Sequence, residues 1–195
     1  MTEPCKRERL IWRPIAIGVM LSLGAVLGAA PALADGPQIG QITKATGAVS
    51  VVRGSGRVAV KPGDPVYQSD VIETGADGDV AITFTDNSRF SAGPGSQLAL
   101  SQYQFDTGTQ RGSMTADLRQ GTLAVISGGI THTTPGAMHI KTPTAMLGVR
   151  GTTFGVQVTG NPPKERFVVL PNPDGSSGAI AVAPTAPGSG TTGPR

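Results

Sequence analysis

Short stretches rich in Val, Ile and Thr recur along the chain from about residue 47 to residue 183, parted by clusters of Gly, Pro, Asn and Asp. Alternation of apolar and polar positions at a period of two sends successive side chains to opposite faces of a strand. The clearest case is DVAITFT, residues 79–85, in which Val80, Ile82 and Phe84 share one face and Ala81, Thr83 and Thr85 the other. This pattern predicts a half-buried strand. It runs into DNS, where Asp86 and Asn87 can take the positive φ of a tight turn. Further strands are predicted at 47–52, 57–60, 97–105, 114–119, 122–127, 137–141, 145–149, 152–159, 166–170 and 179–183. In QLALSQYQF the large apolar residues fall at even positions (Leu98, Leu100) and then at odd ones (Tyr103, Phe105), which predicts a bulge or corner near Ser101. Helical periodicity is hard to find beyond the N-terminal segment, so the expected fold class is all-β.

Expected inward positions such as Ala59, Ala99 and Ala124 carry small side chains, while glycine is frequent and aromatic residues make up only 4% of the chain. So thin a core suits a β-solenoid-like coil or a compact β-roll of short strands better than a wide sandwich filled by aromatics. No repeat of fixed length is found, which argues against a regular array.

The N-terminal segment follows a different pattern. Lys6, Arg7, Arg9 and Arg13 precede an apolar run from Ile15 to Ala30, and Ala32-x-Ala34 then offers a small-residue cleavage site. Residues 1–34 are therefore expected to be a signal peptide; the apolar run falls short of the roughly 20 residues needed to span a bilayer. Once cleaved, the protein is not expected to span a membrane. Residues 39–183 form one expected all-β domain, and 184–195, rich in Pro, Gly and Thr, an expected flexible tail.

Removing the leader leaves twelve bases against eleven acids, a charge of +1. No basic run remains of the kind that a phosphate backbone requires, so nucleic acid is not an expected partner. Cys5, the one cysteine, leaves with the leader. The exported part is then thiol-free and must hold together by its core alone in an oxidising compartment.

Candidate chemistry is sparse. GSGRVA at 54–59 fits a dinucleotide fingerprint on paper, but another strand follows it where a helix N-terminus would be needed, so a hairpin turn is expected. Asp77, Asp79 and Asp86 could form a loose calcium site, yet only the first two are close, and solvated turn residues are the expectation. His132 and His139 are the only histidines, and their odd separation sends them to opposite faces of a continuous strand. No G-x-S-x-G elbow occurs and no two acids are marked out for acid–base work. The protein is expected to be no enzyme, with no cofactor and no metal site.

One charge is out of place. Residues 140–156 read IKTPTAMLGVRGTTFGV, and in an unbroken strand Arg150 would share a face with Thr152, Phe154 and Val156. Either it is buried and satisfied, or a glycine resets the register, or it is displayed to a partner. The preferred expectation is structural: Arg150, flanked by Gly148 and Gly151 and acting with Thr152, ties two coils together through Asp64 or Asp70.

Several of these motifs occur in an ordered set: Gly63-Asp64, D-x-I-x-T-G from Asp70 to Gly75, the turn from Asp86 to Ser88, G-x-L at 121–123, and TPTA…RGT from Thr142 to Thr152. Together they resemble the FecR family, the periplasmic domain of iron-dicitrate-type signal transducers, over roughly residues 39–183. The resemblance implies a coiled, β-solenoid-type architecture and a sensing or contact role in the bacterial envelope, periplasmic or secreted. It also implies an envelope protein as partner, an outer-membrane receptor among the candidates. Only 14 residues precede the apolar run, so the family's cytoplasmic, sigma-factor-controlling segment is not expected here. Where the family usually has Gly, this chain has Asn87, which tolerates the same left-handed backbone. A secreted structural or adhesive module binding envelope polysaccharide is the alternative reading.

Overall fold

The computed structural model describes residues 36–172, 175 and 178–185. The expected leader, and all but the first two residues of the expected tail, lie outside them. The strands are β1 (Gln38–Thr46), β2 (Val49–Arg53), β3 (Gly56–Ala59), β4 (Pro65–Tyr67), β5 (Val71–Thr74), β6 (Asp79–Phe84) and β7 (Arg89–Ala92). Then come β8 (Gln97–Asp106), β9 (Arg111–Ile126), the single-turn helix α1 (Gly129–Thr133), β10 (Met138–Lys141), β11 (Ala145–Arg150), β12 (Thr153–Thr159), β13 (Lys164–Leu170) and β14 (Ala179–Pro184). The fold is all-β, as the alternation predicts, and of the two expected forms it is the roll: one curled sheet of fourteen strands, antiparallel except where β10 runs parallel to β9.

Strand β9 is the spine. Its first half pairs with β8 and β10, its second half with β7 and β12. The half-sheet β3-β2-β5-β8-β9-β10-β11-β14 thus meets the half-sheet β4-β1-β6-β7-β9-β12-β13, and buried residues from both form one hydrophobic cluster. Phe84 packs edge-on against Phe90 at 4.9 Å and stacks on Tyr103 at 5.7 Å. Burying Phe90 and Phe154 completely contributes on the order of 2–3 kcal/mol each.

Passing from one half-sheet to the other requires the inward parity to change, and a glycine does this twice. In β9 the buried residues are Met114, Ala116 and Leu118, then Leu123 and Val125; between them Gly121 takes φ +95°. A side chain there would run into Ser96, whose Oγ accepts the Thr122 N–H at 3.0 Å and donates to Gly93 O at 2.7 Å. Between β11 and β12 the buried set changes from Ala145, Leu147 and Val149 to Phe154, Val156 and Val158 across Gly151 at φ +51°. The parity switch expected near Ser101 is a register shift between Ala99 and Gln102 in the β8–β9 pairing.

The stretches expected at 114–119 and 122–127 are one continuous strand. Four strands carry too little alternation to be read in advance: β1, with Gly40 and Gln41 inside it, and the three- or four-residue β4, β5 and β7.

Candidate recognition surface

A strand with a neighbour on one side only leaves a row of backbone N–H and C=O groups available for pairing. Among the described residues β3, β4, β13 and β14 are such edges. β3 and β4 have four and three residues, and β14 is alanine-rich and ends in Pro184. Strand β13 has seven residues, Lys164 to Leu170, no proline, and Val168, Val169 and Leu170 exposed in succession.

The pairing of β13 with β12 fixes which way its side chains point. Val169 lies beside Phe154, Phe167 beside Val156 and Glu165 beside Val158, all on the inward face. Glu165 is held there: Thr142 Oγ1 donates to it at 2.7 Å and the Thr144 N–H at 3.0 Å. Lys164 and Arg166 point outward and are both exposed, beside Thr159 and Gln157.

The charges divide along the chain. Every base between residues 36 and 88 has a carboxylate partner: Lys44 with Asp79, Arg53 with Asp70, Arg57 with Glu73, Lys61 with Asp64. From Arg89 onward no described base has an ion pair with a described residue. Strands β10 to β14 carry Lys141, Arg150, Lys164 and Arg166 against the single acid Glu165. Two surface grooves accompany this division. One of about 550 Å³ is lined by the paired Arg57 and Glu73 with Ser50, Gln97 and Gln120. The other, about 470 Å³, is lined by Arg150 and His132 with no acid among its lining residues.

The residues singled out in the sequence fall as follows. Arg150 is exposed at the end of β11, so the expectation that it ties coils through Asp64 or Asp70 is corrected. The positive φ of Gly151 breaks the parity that would have turned the guanidinium inward. Asp70 is buried and takes Arg53 instead, through two bonds of 2.7 Å, with the Tyr67 N–H as a third donor at 2.9 Å. The Arg53 guanidinium also lies 4.3 Å from the centre of the Tyr67 ring. Its hydrogen bond to Asp70 raises its pKa above the ordinary value. Asp64 caps its own loop, accepting from the Lys61 ammonium at 2.8 Å and the Lys61 N–H at 2.9 Å; these bonds lower its pKa. Thr152 is a structural tie: its N–H donates to Ser127 Oγ at 2.9 Å and its carbonyl accepts the Ser127 N–H at 3.3 Å.

Asp86 is a second correction. Asn87 takes the positive φ, at 66°, but Asp86 is no solvated turn residue. Its buried carboxylate accepts the Ser88 hydroxyl at 2.6 Å, the Ser88 N–H at 3.0 Å and the Ile130 N–H at 3.4 Å. Ser88 Oγ in turn accepts the Gly128 N–H at 2.9 Å, which fastens the turn to the start of α1. Asp79 is committed to Lys44. Asp77 accepts from the Ala48 N–H, and the described residues contain no group of three metal-ligating side chains. GSGRVA closes the β2–β3 hairpin through Gly54 and Ser55. His132 is exposed on α1 and His139 half-buried in β10.

Comparison with known proteins is decisive for the family. The profile described as "FecR protein" matches residues 70–170, just over half of the chain. The chain belongs to the FecR family. The matched FecR segment runs from the buried Asp70 to Leu170, the last residue of β13. Family membership points to a role in signal transduction or sensing, through contact between proteins. No curated protein matches the chain. Among solved structures it is similar to one titled "Cell surface anchoring domain", at 35% identity over 32% of this chain and 83% of that one, with a TM-score of 0.31. Among the described residues of this FecR protein, no helix is long and apolar enough to cross a membrane.

Two features of the FecR domain escape sequence reasoning. Arg53 as the partner of Asp70 has no local signal, because the 17-residue separation spans two strand pairings. Tyr103 reads as a plain core aromatic, yet its Oη accepts the Asp86 N–H at 3.0 Å and meets Thr85 Oγ1 at 2.8 Å. Burial pushes its phenol up to about 12, against the opposing pull of the Thr85 bond.

Proposed function

We propose that this protein is an exported, non-enzymatic FecR domain that senses a signal by recognising another protein of the bacterial envelope, in the periplasm or outside the cell. The observation that carries the reading is the seven-residue open edge of β13, with Val168, Val169 and Leu170 exposed beside it. A sheet edge recognises protein by backbone pairing and by pockets for alternate side chains. An outer-membrane receptor is the kind of partner that family membership favours.

The test is a capture experiment. The full chain, immobilised after export, is exposed separately to envelope proteins and to envelope glycans. Saturable retention of protein, lost when the domain is unfolded by heat, is the expected result. Retention of glycan alone would overturn the proposal in favour of a polysaccharide-binding module, and turnover of any substrate would overturn its non-enzymatic part.

A further inference from the structure

The core of the domain does not end where its cover ends. Phe154 and Leu147 are fully buried, but their cross-strand neighbours on the same inward face, Val169 of β13 and Val182 of β14, are 44% and 51% exposed. Phe167 and Ile180, one step along, pack against the core and are only half covered. The two final strands thus extend an apolar inner surface to an edge that nothing in the described chain closes.

The outward face of the same edge has a different character. Lys164 and Arg166 stand two residues apart without a described carboxylate, and the one acid of strands β10 to β14, Glu165, is turned inward and held by Thr142 and Thr144. We infer that β13 accepts an extended segment of a partner protein as an added strand, and that this segment alternates apolar with acidic residues. Its apolar side chains would cover Val169 and Phe167, and its carboxylates would lie across from Lys164 and Arg166. Opposite charges directly across a strand pair are favourable and like charges are not. This names the occupant class of the edge and rests on the reading of the domain as a protein-recognition module.

A second copy of the chain fits less well. Antiparallel self-pairing centred on Phe167 would set Arg166 opposite Val168 and Lys164 opposite Leu170, taking both cations partly from water with no carboxylate in exchange. It would also bring together two surfaces in which bases outnumber acids.

The inference is tested on the full chain by fluorescence anisotropy with two labelled peptides, one alternating valine and glutamate, the other valine and lysine. The glutamate peptide is expected to saturate, with the lysine peptide weaker by about tenfold, the size expected of two cross-strand charge pairs. Val169→Lys places a charge on the inward face of the edge and is expected to abolish binding while the melting temperature stays near wild type. The double variant Lys164→Glu with Arg166→Glu is expected to reverse the preference between peptides. Undiminished binding to Val169→Lys, no reversal in the double variant, or no binding of either peptide would overturn the inference. So would sedimentation of the full chain as a dimer that Val169→Lys dissolves, since the occupant would then be a second copy. Envelope-protein capture that survives Val169→Lys would leave the proposed function standing and remove only β13 from it.

Discussion

Replacing Arg53 with Met puts the internal electrostatics of the domain to a direct test. The Asp70 side chain has no exposed surface, and three donors satisfy it: Arg53 Nε and Nη2 and the Tyr67 N–H. Methionine keeps most of the apolar stem but removes the guanidinium that lies over the Tyr67 ring and leaves the carboxylate with one donor. Breaking a buried pair from one side costs about 3–5 kcal/mol; because the Arg53 side chain is 37% exposed, water can partly replace it, and the low end, about 3 kcal/mol, is expected. At about 2–4 °C per kcal/mol for a domain of this size, the melting temperature should fall by about 6–12 °C. The readout is far-UV circular dichroism on heating, with urea unfolding for the free energy. Adding Asp70→Asn to Arg53→Met should recover part of the loss, because the orphaned charge is then gone. Arg53 has a folded pKa raised above its ordinary, already strongly alkaline value, so its contribution is fully present below that ordinary value and is lost only as pH rises through the folded one. The gap between wild type and variant should therefore stay constant across the neutral range. Arg150→Met is the control: that residue is exposed, and the change should stay within about 0.5 kcal/mol. A melting temperature for Arg53→Met within 2 °C of wild type, roughly the effect of 1 kcal/mol or less, would refute the reasoning. An equal drop for Arg150→Met would do the same.

Three further outcomes are expected. Gly121→Ala should cost more than about 2 kcal/mol in urea unfolding, since its φ is +95° and the added carbon meets Ser96; a neutral result would mean that the bend of β9 can relax. Asp86→Ala should cost about 3 kcal/mol by leaving the buried N–H and O–H of Ser88 short of an acceptor, and a loss under 1 kcal/mol would show that α1 is not fastened by this turn. Tyr103 has a folded pKa of about 12 against an ordinary 10.0, so its contribution is fully present below pH 10 and is lost as pH rises toward 12. Tyr103→Phe should flatten that alkaline decline, and an unchanged decline would assign it to other groups.

Local alternation was enough to place most of the strands. Residues 79–85 alternate cleanly because one face of β6 meets the core and the other does not, and β10, β11 and β12 were legible for the same reason. Strands β4, β5 and β7 are three or four residues long, too short for a period of two to stand out. Gly121 read as a break between two strands, since chemistry alone does not distinguish a glycine that ends a strand from one that lets it turn and continue. Of the site residues, Thr152 meets neither Asp64 nor Asp70: it is joined to Ser127 through its backbone N–H and C=O, a contact that no side-chain pattern signals.

Periodicity by itself determined the all-β class, and the ordered motifs the family, because both are written along the chain; the inward placing of Ala59 and Ala124 was not, since both lie exposed and only Ala99 is buried. Pairing across the fold decided the rest. Whether Asp70 meets Arg53 or Arg150, whether Asp86 faces water or α1, and which strand is left without a neighbour all depend on contacts between residues far apart in sequence. Two glycines at positive φ settle much of this: by switching the inward parity at 121 and 151 they send Arg150 to the surface and carry β12 and β13 to the open side of the roll. The backbone freedom that permits the switch is visible in the residue type, but its direction is set only by what the two half-sheets bury against each other.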